Sequence, residues 1–278
     1  MNSSLPAATV AASPDEGRRV PVLMYHRIGS AQGDWERRFC ISPSQFCAHM
    51  DALSHHGWQP CSLRTFVTWI RGECTVPERT VLITFDDGYL GLYEHALPIL
   101  GARGWPFVLF VVPALVGKHD LWSANENPSG RTYPLLGWNH LREMQTHHAS
   151  MGSHSLNHAN LTALGDTELS NELTVSRAQL EDRLGAPITE LAYPYGLHDE
   201  RVVQAARLAG YATAFSVRSG FNGKDSDRMR IRRLDVFGTD SASALIRKLK
   251  LGSNDGGLTN FLRYYASRAA ARIGIGSI

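Results

Sequence analysis

The sequence predicts an α/β fold with a parallel sheet, barrel-like or doubly wound, and three observations carry that prediction. Short apolar runs alternate with helical patterns from Val20 through most of the chain. Hydrophobic residues make up 43% of the 278 residues and charged residues 19%, which suits a sizeable buried core and excludes wholesale disorder. No internal repeat or low-complexity tract interrupts the alternation, and α/β barrels of this length are often single domains.

Taken in order, residues 1–19 (MNSSLPAATVAASPDEGRR) are small and polar and read as a flexible arm. VPVLMYH (20–26) reads as a buried strand that ends in a polar residue. Ser42-Pro43-Ser44-Gln45 is a helix start, with a Ser cap, Pro in the first turn and Gln at the capping-box position. Phe46, Met50 and Leu53 recur at helical spacing until Gly57 stops the helix. VLITF (81–85) and PFVLFVV (106–112) are two further buried strands. Helical patterns cover 138–147, 168–184 and 199–209, and shorter apolar segments at 149–152, 190–193, 212–217 and 231–236 fit more strands. Residues 118–137 have no clear period and read as a long loop, of a length that is often functional. The expected organisation is an arm at 1–19, one domain at 20–250 and a basic amphipathic tail at 251–278.

Chemistry first shows in Thr84-Phe85-Asp86-Asp87-Gly88, two adjacent carboxylates where a buried strand runs out. Strand ends of parallel α/β folds are where active sites collect. Neighbouring carboxylates repel, and a metal on one leaves the other free as a base. By itself Asp-Asp-Gly is also an ordinary turn. Gly152-Ser153-His154-Ser155-Leu156-Asn157-His158 then places two imidazoles four residues apart, a spacing that puts both rings on one side of a helical turn. One Asp and two His form a donor set that zinc accepts, with positions left for water and substrate. Chance pairs occur in a chain with twelve histidines, and His55-His56 and His147-His148 read as solvated.

Together the two segments resemble the polysaccharide deacetylases, the NodB-homology group also called carbohydrate esterase family 4. Its TFDDG and H-S/T-x-x-H motifs stand intact here, and Leu191-Ala192-Tyr193-Pro194-Tyr195-Gly196 falls where the family has R-x-P-F/Y. The resemblance spans roughly residues 20–240 and implies a single-domain distorted (β/α) barrel with about seven strands. It implies a divalent metal ion, zinc first with cobalt, nickel or manganese as alternatives, held by Asp87, His154 and His158. Asp86 would be the general base on metal-bound water. Pro194 and Tyr195 would border the acetyl pocket, with the Tyr195 backbone N–H helping to hold the oxyanion.

The chain departs from the family pattern in two places. The usual Arg of the third motif is Tyr193, so the group that orients Asp86 is missing there. Arg233 is a candidate substitute, although a solvated strand end is the plainer reading of Arg230-Ile231-Arg232-Arg233. The family also uses a C-terminal His as general acid, and no histidine follows His198. His26, in Tyr25-His26, matches the biofilm poly-N-acetylglucosamine deacetylase subgroup, where a YH motif precedes the TFDDG strand and the motif order is circularly permuted. Tyr89, Trp122 and Trp138 are further candidates to stack on sugar rings, Trp138 reading more simply as core, and Asp235 is a group that could tune a histidine.

The implied activity is hydrolysis of an N-acetyl group on an acetylated amino sugar, in a glycan or on a carrier, releasing acetate. The alternatives are a metal-dependent amidase on a non-sugar C–N bond and a non-catalytic carbohydrate-binding relative. A formal net charge of +2 with scattered basic residues gives no sign of a nucleic-acid partner. Cys40, Cys47, Cys61 and Cys74 have no CxxC spacing and read as unlinked thiols. With no signal-peptide pattern at the start, a cytoplasmic location is expected. The tail from Leu258 to Ile278 suits peripheral contact with an anionic membrane, a packed terminal helix being the plainer reading, and no oligomeric state is indicated.

Overall fold

The computed structural model describes residues 17–259; most of the expected arm and tail, including the membrane-contact segment, lies outside the described residues. The strands are β1 (Val22–Tyr25), β2 (Arg27–Ile28), β3 (Cys40–Ile41), β4 (Gln59–Pro60), β5 (Thr80–Phe85), β6 (Phe107–Val111), β7 (Ala149–Ser153), β8 (Glu190–Ala192), β9 (Thr213–Phe215) and β10 (Leu234–Asp235). The helices are α1 (Pro43–His55), α2 (Leu63–Ile70), α3 (Leu97–Gly101), α4 (Ser123–Glu126), α5 (Trp138–Thr146), α6 (Asp166–Leu184), α7 (Glu200–Leu208) and α8 (Ala242–Leu251). Seven strands lie side by side in the order β10-β1-β5-β6-β7-β8-β9, every pair parallel. The sheet curls until Ile231, just ahead of β10, bridges Phe215 at the end of β9. This is the distorted barrel of about seven strands.

Strand periodicity separates two apolar layers. Leu23, Tyr25, Ile83, Phe85, Leu109 and Leu191 face outward into the cluster that also takes in α1, α5, α6, α7 and α8. Val22, Leu82, Val108, Phe110, Ala192 and Phe215 face inward, where Phe66, Trp69 and Ile70 of α2 pack against them. Both faces are therefore buried, which is why the strands read as continuous apolar runs. The inward set continues upward as His26, Asp86 and His154, each following the inward residues of β1, β5 and β7 by the period of two. Leu23 lies opposite Ile83 and Met24 opposite Thr84, so His26 and Asp86 share one level at the carboxyl rim. Gly152 makes room below: a Cβ there would lie 2.6 Å from the Phe110 ring.

The sequence left α2, α8 and the short helix at 92–101 unassigned, and the 118–137 loop carries α4 and two isolated bridges, Tyr89 with Leu135 and His119 with Pro134. Ser42 does cap α1, accepting from the Gln45 N–H at 3.2 Å. Gln45 does not complete a capping box, because its side chain donates to the Asp240 carbonyl at 2.6 Å. A tertiary acceptor outcompetes the local one.

Candidate metal and catalytic site

Asp87 follows β5 in a left-handed conformation (φ 74°), and its carboxylate lines the same cleft as that of Asp86 although strand alternation would set the two on opposite faces. His154 follows β7, and its Nδ1–H donates to the Ala192 carbonyl at 2.8 Å, so Nε2 carries the lone pair. The stretch from His154 to His158 is not a helical turn: Ser155 (φ 59°) and His158 (φ 60°) are both left-handed, and the loop between them folds the second ring back. The helical turn expected from the i,i+4 spacing is absent. The rings meet at a 4.9 Å centroid distance through loop geometry, not through a helix face.

Nε2 of His154 lies 3.4 Å and Nε2 of His158 3.3 Å from Asp87 Oδ1. A tetrahedral zinc with bonds near 2.0–2.1 Å has an edge of about 3.3 Å, so both separations are those of ligands around one cation. Asp87 Oδ1 is buried and makes no hydrogen bond of good geometry, as is His158 Nδ1. The three donor atoms lie within 4.8 Å of one another. Burial, together with the opposing pulls of Asp86 and His158, brings His154 down to about 4, so it is neutral and able to coordinate at physiological pH. Burial would raise Asp87, but the imidazoles around it, His158 first and then His26 and His154, outweigh that and hold Asp87 at about 2. The donor set fits a divalent ion.

Asp86 is held differently. Arg233 is fully buried, not at a solvated strand end, and its Nη1 and Nη2 donate to the two Asp86 oxygens at 2.7 and 2.8 Å. Its Nε donates to the Ser216 carbonyl at 3.0 Å, fixing the fork. Burial pushes the Asp86 carboxyl up, and Arg233 more than offsets it, so the group is ionised. Asp86 Oδ2 lies 4.0 Å from His154 Nε2, beside the metal set without belonging to it. With Pro194 and Tyr195 in register with R-x-P-F/Y, the Arg position falls on the buried Ala192 and not on Tyr193; Tyr193 is buried beside it and donates its hydroxyl to the Met229 carbonyl at 3.0 Å.

Asp86, Asp87, His154, His158 and Tyr193 line a cleft of about 300 Å³ together with His26, Asp235, Trp122 and Tyr195, while Arg233 lies buried behind Asp86. Asp235 sits next to Met24 in the β1–β10 register, on the inward side that leads to His26. Asn254 donates to the Asp235 carboxylate and accepts from the Asp235 N–H at 2.9 Å. Burial raises the Asp235 carboxyl, with His26 pulling the other way. Tyr195, left-handed at φ 57° after the buried Pro194, meets His158 edge-on at 4.6 Å. Trp122 stacks on the His158 ring at 4.2 Å, so the Trp122 indole and the Tyr195 ring both pack on that imidazole. Tyr89 is buried against Asp120, and Trp138 starts α5 packed on the core.

Sequence reasoning missed the clasp that forms one wall. Glu36, buried at 4% exposure, accepts from Arg27 at 2.8 Å, from the Gln32 N–H at 2.7 Å, from Asn127 at 3.2 Å and from the Tyr133 hydroxyl. It ties the 29–39 loop, with Trp35 and Phe39 in the cleft, to the 118–137 loop that carries Trp122. Its partners lie up to 97 residues away, so no local pattern signals it.

The model of the polysaccharide deacetylase family matches residues 73–214, just over half of the chain. "Putative polysaccharide deacetylase YxkH" of Bacillus subtilis is 27% identical over 227 residues, covering 81% of this chain and 74% of that protein. The "Poly-beta-1,6-N-acetyl-D-glucosamine N-deacetylase" of Staphylococcus aureus is 26% identical over 216 residues, 76% of this chain and 72% of the relative. The structure of IcaB from Ammonifex degensii superimposes with a TM-score of 0.67 at 26% identity, covering 79% of this chain and 92% of that one. The matched span contains Asp86, Asp87, His154 and His158, while His26 and Arg233 join it through the neighbouring strands β1 and β10. On these matches, and with the family's two motifs set around one cleft, the chain belongs to the polysaccharide deacetylase family.

Proposed function

We propose that the protein is a metal-dependent N-deacetylase of acetylated amino sugars. One observation carries this: an Asp-His-His donor set and a separate, Arg-forked carboxylate face the same cleft. Asp87, His154 and His158 would hold the ion, and zinc suits two imidazoles and a carboxylate. When bound, the ion polarises the acetyl carbonyl and makes a water acidic. Asp86 takes the proton as the water oxygen bonds to the carbonyl carbon, and Arg233 keeps it aligned and charged for that step. The Tyr195 N–H is offered to the oxyanion, and Pro194 shapes the acetyl pocket beside it. His26, flanked by Asp235, gives a proton to the nitrogen as the C–N bond breaks, which leaves acetate and a free amine. The S. aureus relative is named for poly-β-1,6-N-acetylglucosamine, which makes oligomers of N-acetylglucosamine the first substrates to try.

Purified protein is expected to release acetate from such oligomers with zinc or cobalt present, to stop on chelation and to recover when the metal returns. Release that ignores the chelator, or no release from a panel of free, polymeric and lipid-linked acetylated sugars, would overturn the proposal. Changing His26 to Ala should lower kcat by about 10²–10⁴ with bound metal unchanged, the usual contribution of a general acid. A kcat near that of the unaltered protein would leave His26 a purely structural role.

A further inference from the structure

Helix α6 buries Leu169, Glu172, Leu173, Ser176 and Leu180, a stripe at helical spacing that would pack equally well if it were wholly apolar. Two members are polar: Ser176 reaches the last residue of β7, and Glu172 reaches the loop that follows it and carries the histidines. Ser176 Oγ lies 2.6 Å from Ser153 Oγ, one residue before His154. Glu172, 8% exposed, accepts from the N–H groups of Leu156 and Asn157, both at 3.0 Å on Oε2. Asn157 Nδ2 donates to its other oxygen at 2.7 Å. The two peptide groups it holds lie between the left-handed residues Ser155 and His158.

We infer that Glu172 is a positioning residue for the metal centre, holding the His154–His158 loop in the strained shape that aims both imidazoles at Asp87. The inference rests on the reading of Asp87, His154 and His158 as metal ligands. Left-handed conformations at non-glycine residues cost of order 1–3 kcal/mol each and persist only where surrounding contacts impose them. Three hydrogen bonds to a buried carboxylate supply that constraint, and charge-assisted bonds are the strong kind. The anchor itself is secure: α6 runs for 19 residues, and its Leu173 carbonyl accepts from Tyr211 at 3.0 Å. From the far side the Ala114 N–H donates to the Leu156 carbonyl at 3.2 Å. Glu172 thus orients the loop without touching substrate.

The test is zinc affinity, measured by competition with a chromophoric chelator. Glu172→Gln keeps the side chain's shape but sets an NH₂ group against either the two backbone N–H donors or Asn157 Nδ2. It is expected to weaken zinc binding about 10–100-fold, the usual consequence of losing an outer-shell partner. The cobalt-loaded variant should also show an altered visible absorption spectrum, while circular dichroism stays unchanged. Asn157→Ala, at an exposed position, removes one of the three bonds and should shift affinity in the same direction by less. A folded Glu172→Gln protein with zinc affinity within twofold of the unaltered chain would overturn the inference. Should that variant not fold, unchanged affinity in Asn157→Ala would do so instead. Unaltered protein that binds no zinc would overturn the metal site itself, and this inference with it.

Discussion

Replacing Asp86 with asparagine is expected to reduce acetate release by at least about 10²–10⁴-fold while zinc still binds, because the base is removed and the three donor side chains are not. The amide keeps the carboxylate's shape, so Arg233 can still donate to one oxygen, but no group remains to take the proton from water. A zinc titration on the same preparation separates this outcome from collapse of the site. Asp86 lies 4.0 Å from the nearest donor atom of His154, close enough to act on the same water yet outside the ligand set. Turnover within tenfold of the unaltered enzyme would remove Asp86 from the role of base.

The second large effect is on stability and activity together. Arg233→Met leaves the Asp86 carboxylate buried at 2% exposure without its fork. Removing one partner of a buried ion pair costs about 3–5 kcal/mol, since the remaining charge stays desolvated. For a domain of this size that corresponds to a fall in Tm of about 6–20 °C, measured by calorimetry. Arg233→Lys should recover little activity, because an ammonium cannot hold both carboxylate oxygens and reach the Ser216 carbonyl at once. The double variant Asp86→Leu with Arg233→Met should regain much of the lost stability and none of the activity, since apolar groups can replace a buried pair at little cost. A single Arg233→Met protein with unchanged Tm would show that the pair contributes nothing.

The outcome at each position follows from the range over which its cause acts. Strands β1, β5 and β6 were legible because burial on both faces leaves a local mark, a short continuous apolar run. α1 was legible through its Ser42 cap and the recurrence of Phe46, Met50 and Leu53. α2 was not, because its apolar residues fill the barrel interior and are set by the six inward strand residues they meet. The clasp at Glu36 was equally hidden, its four partners being drawn from β2 and from two loops that only the fold brings together.

Residue identities along the chain specified the donor types, two carboxylates at one strand end and two imidazoles on one short segment, and through them the family. Tertiary structure alone decided that Arg233 is a buried fork, that His26 shares a level with Asp86, and that a loop rather than a helix unites the histidines. The reason is physical. Residue identity fixes what a group can coordinate or protonate, whereas strand register, burial and left-handed backbone angles fix which groups meet, and those are set by contacts far apart in the chain.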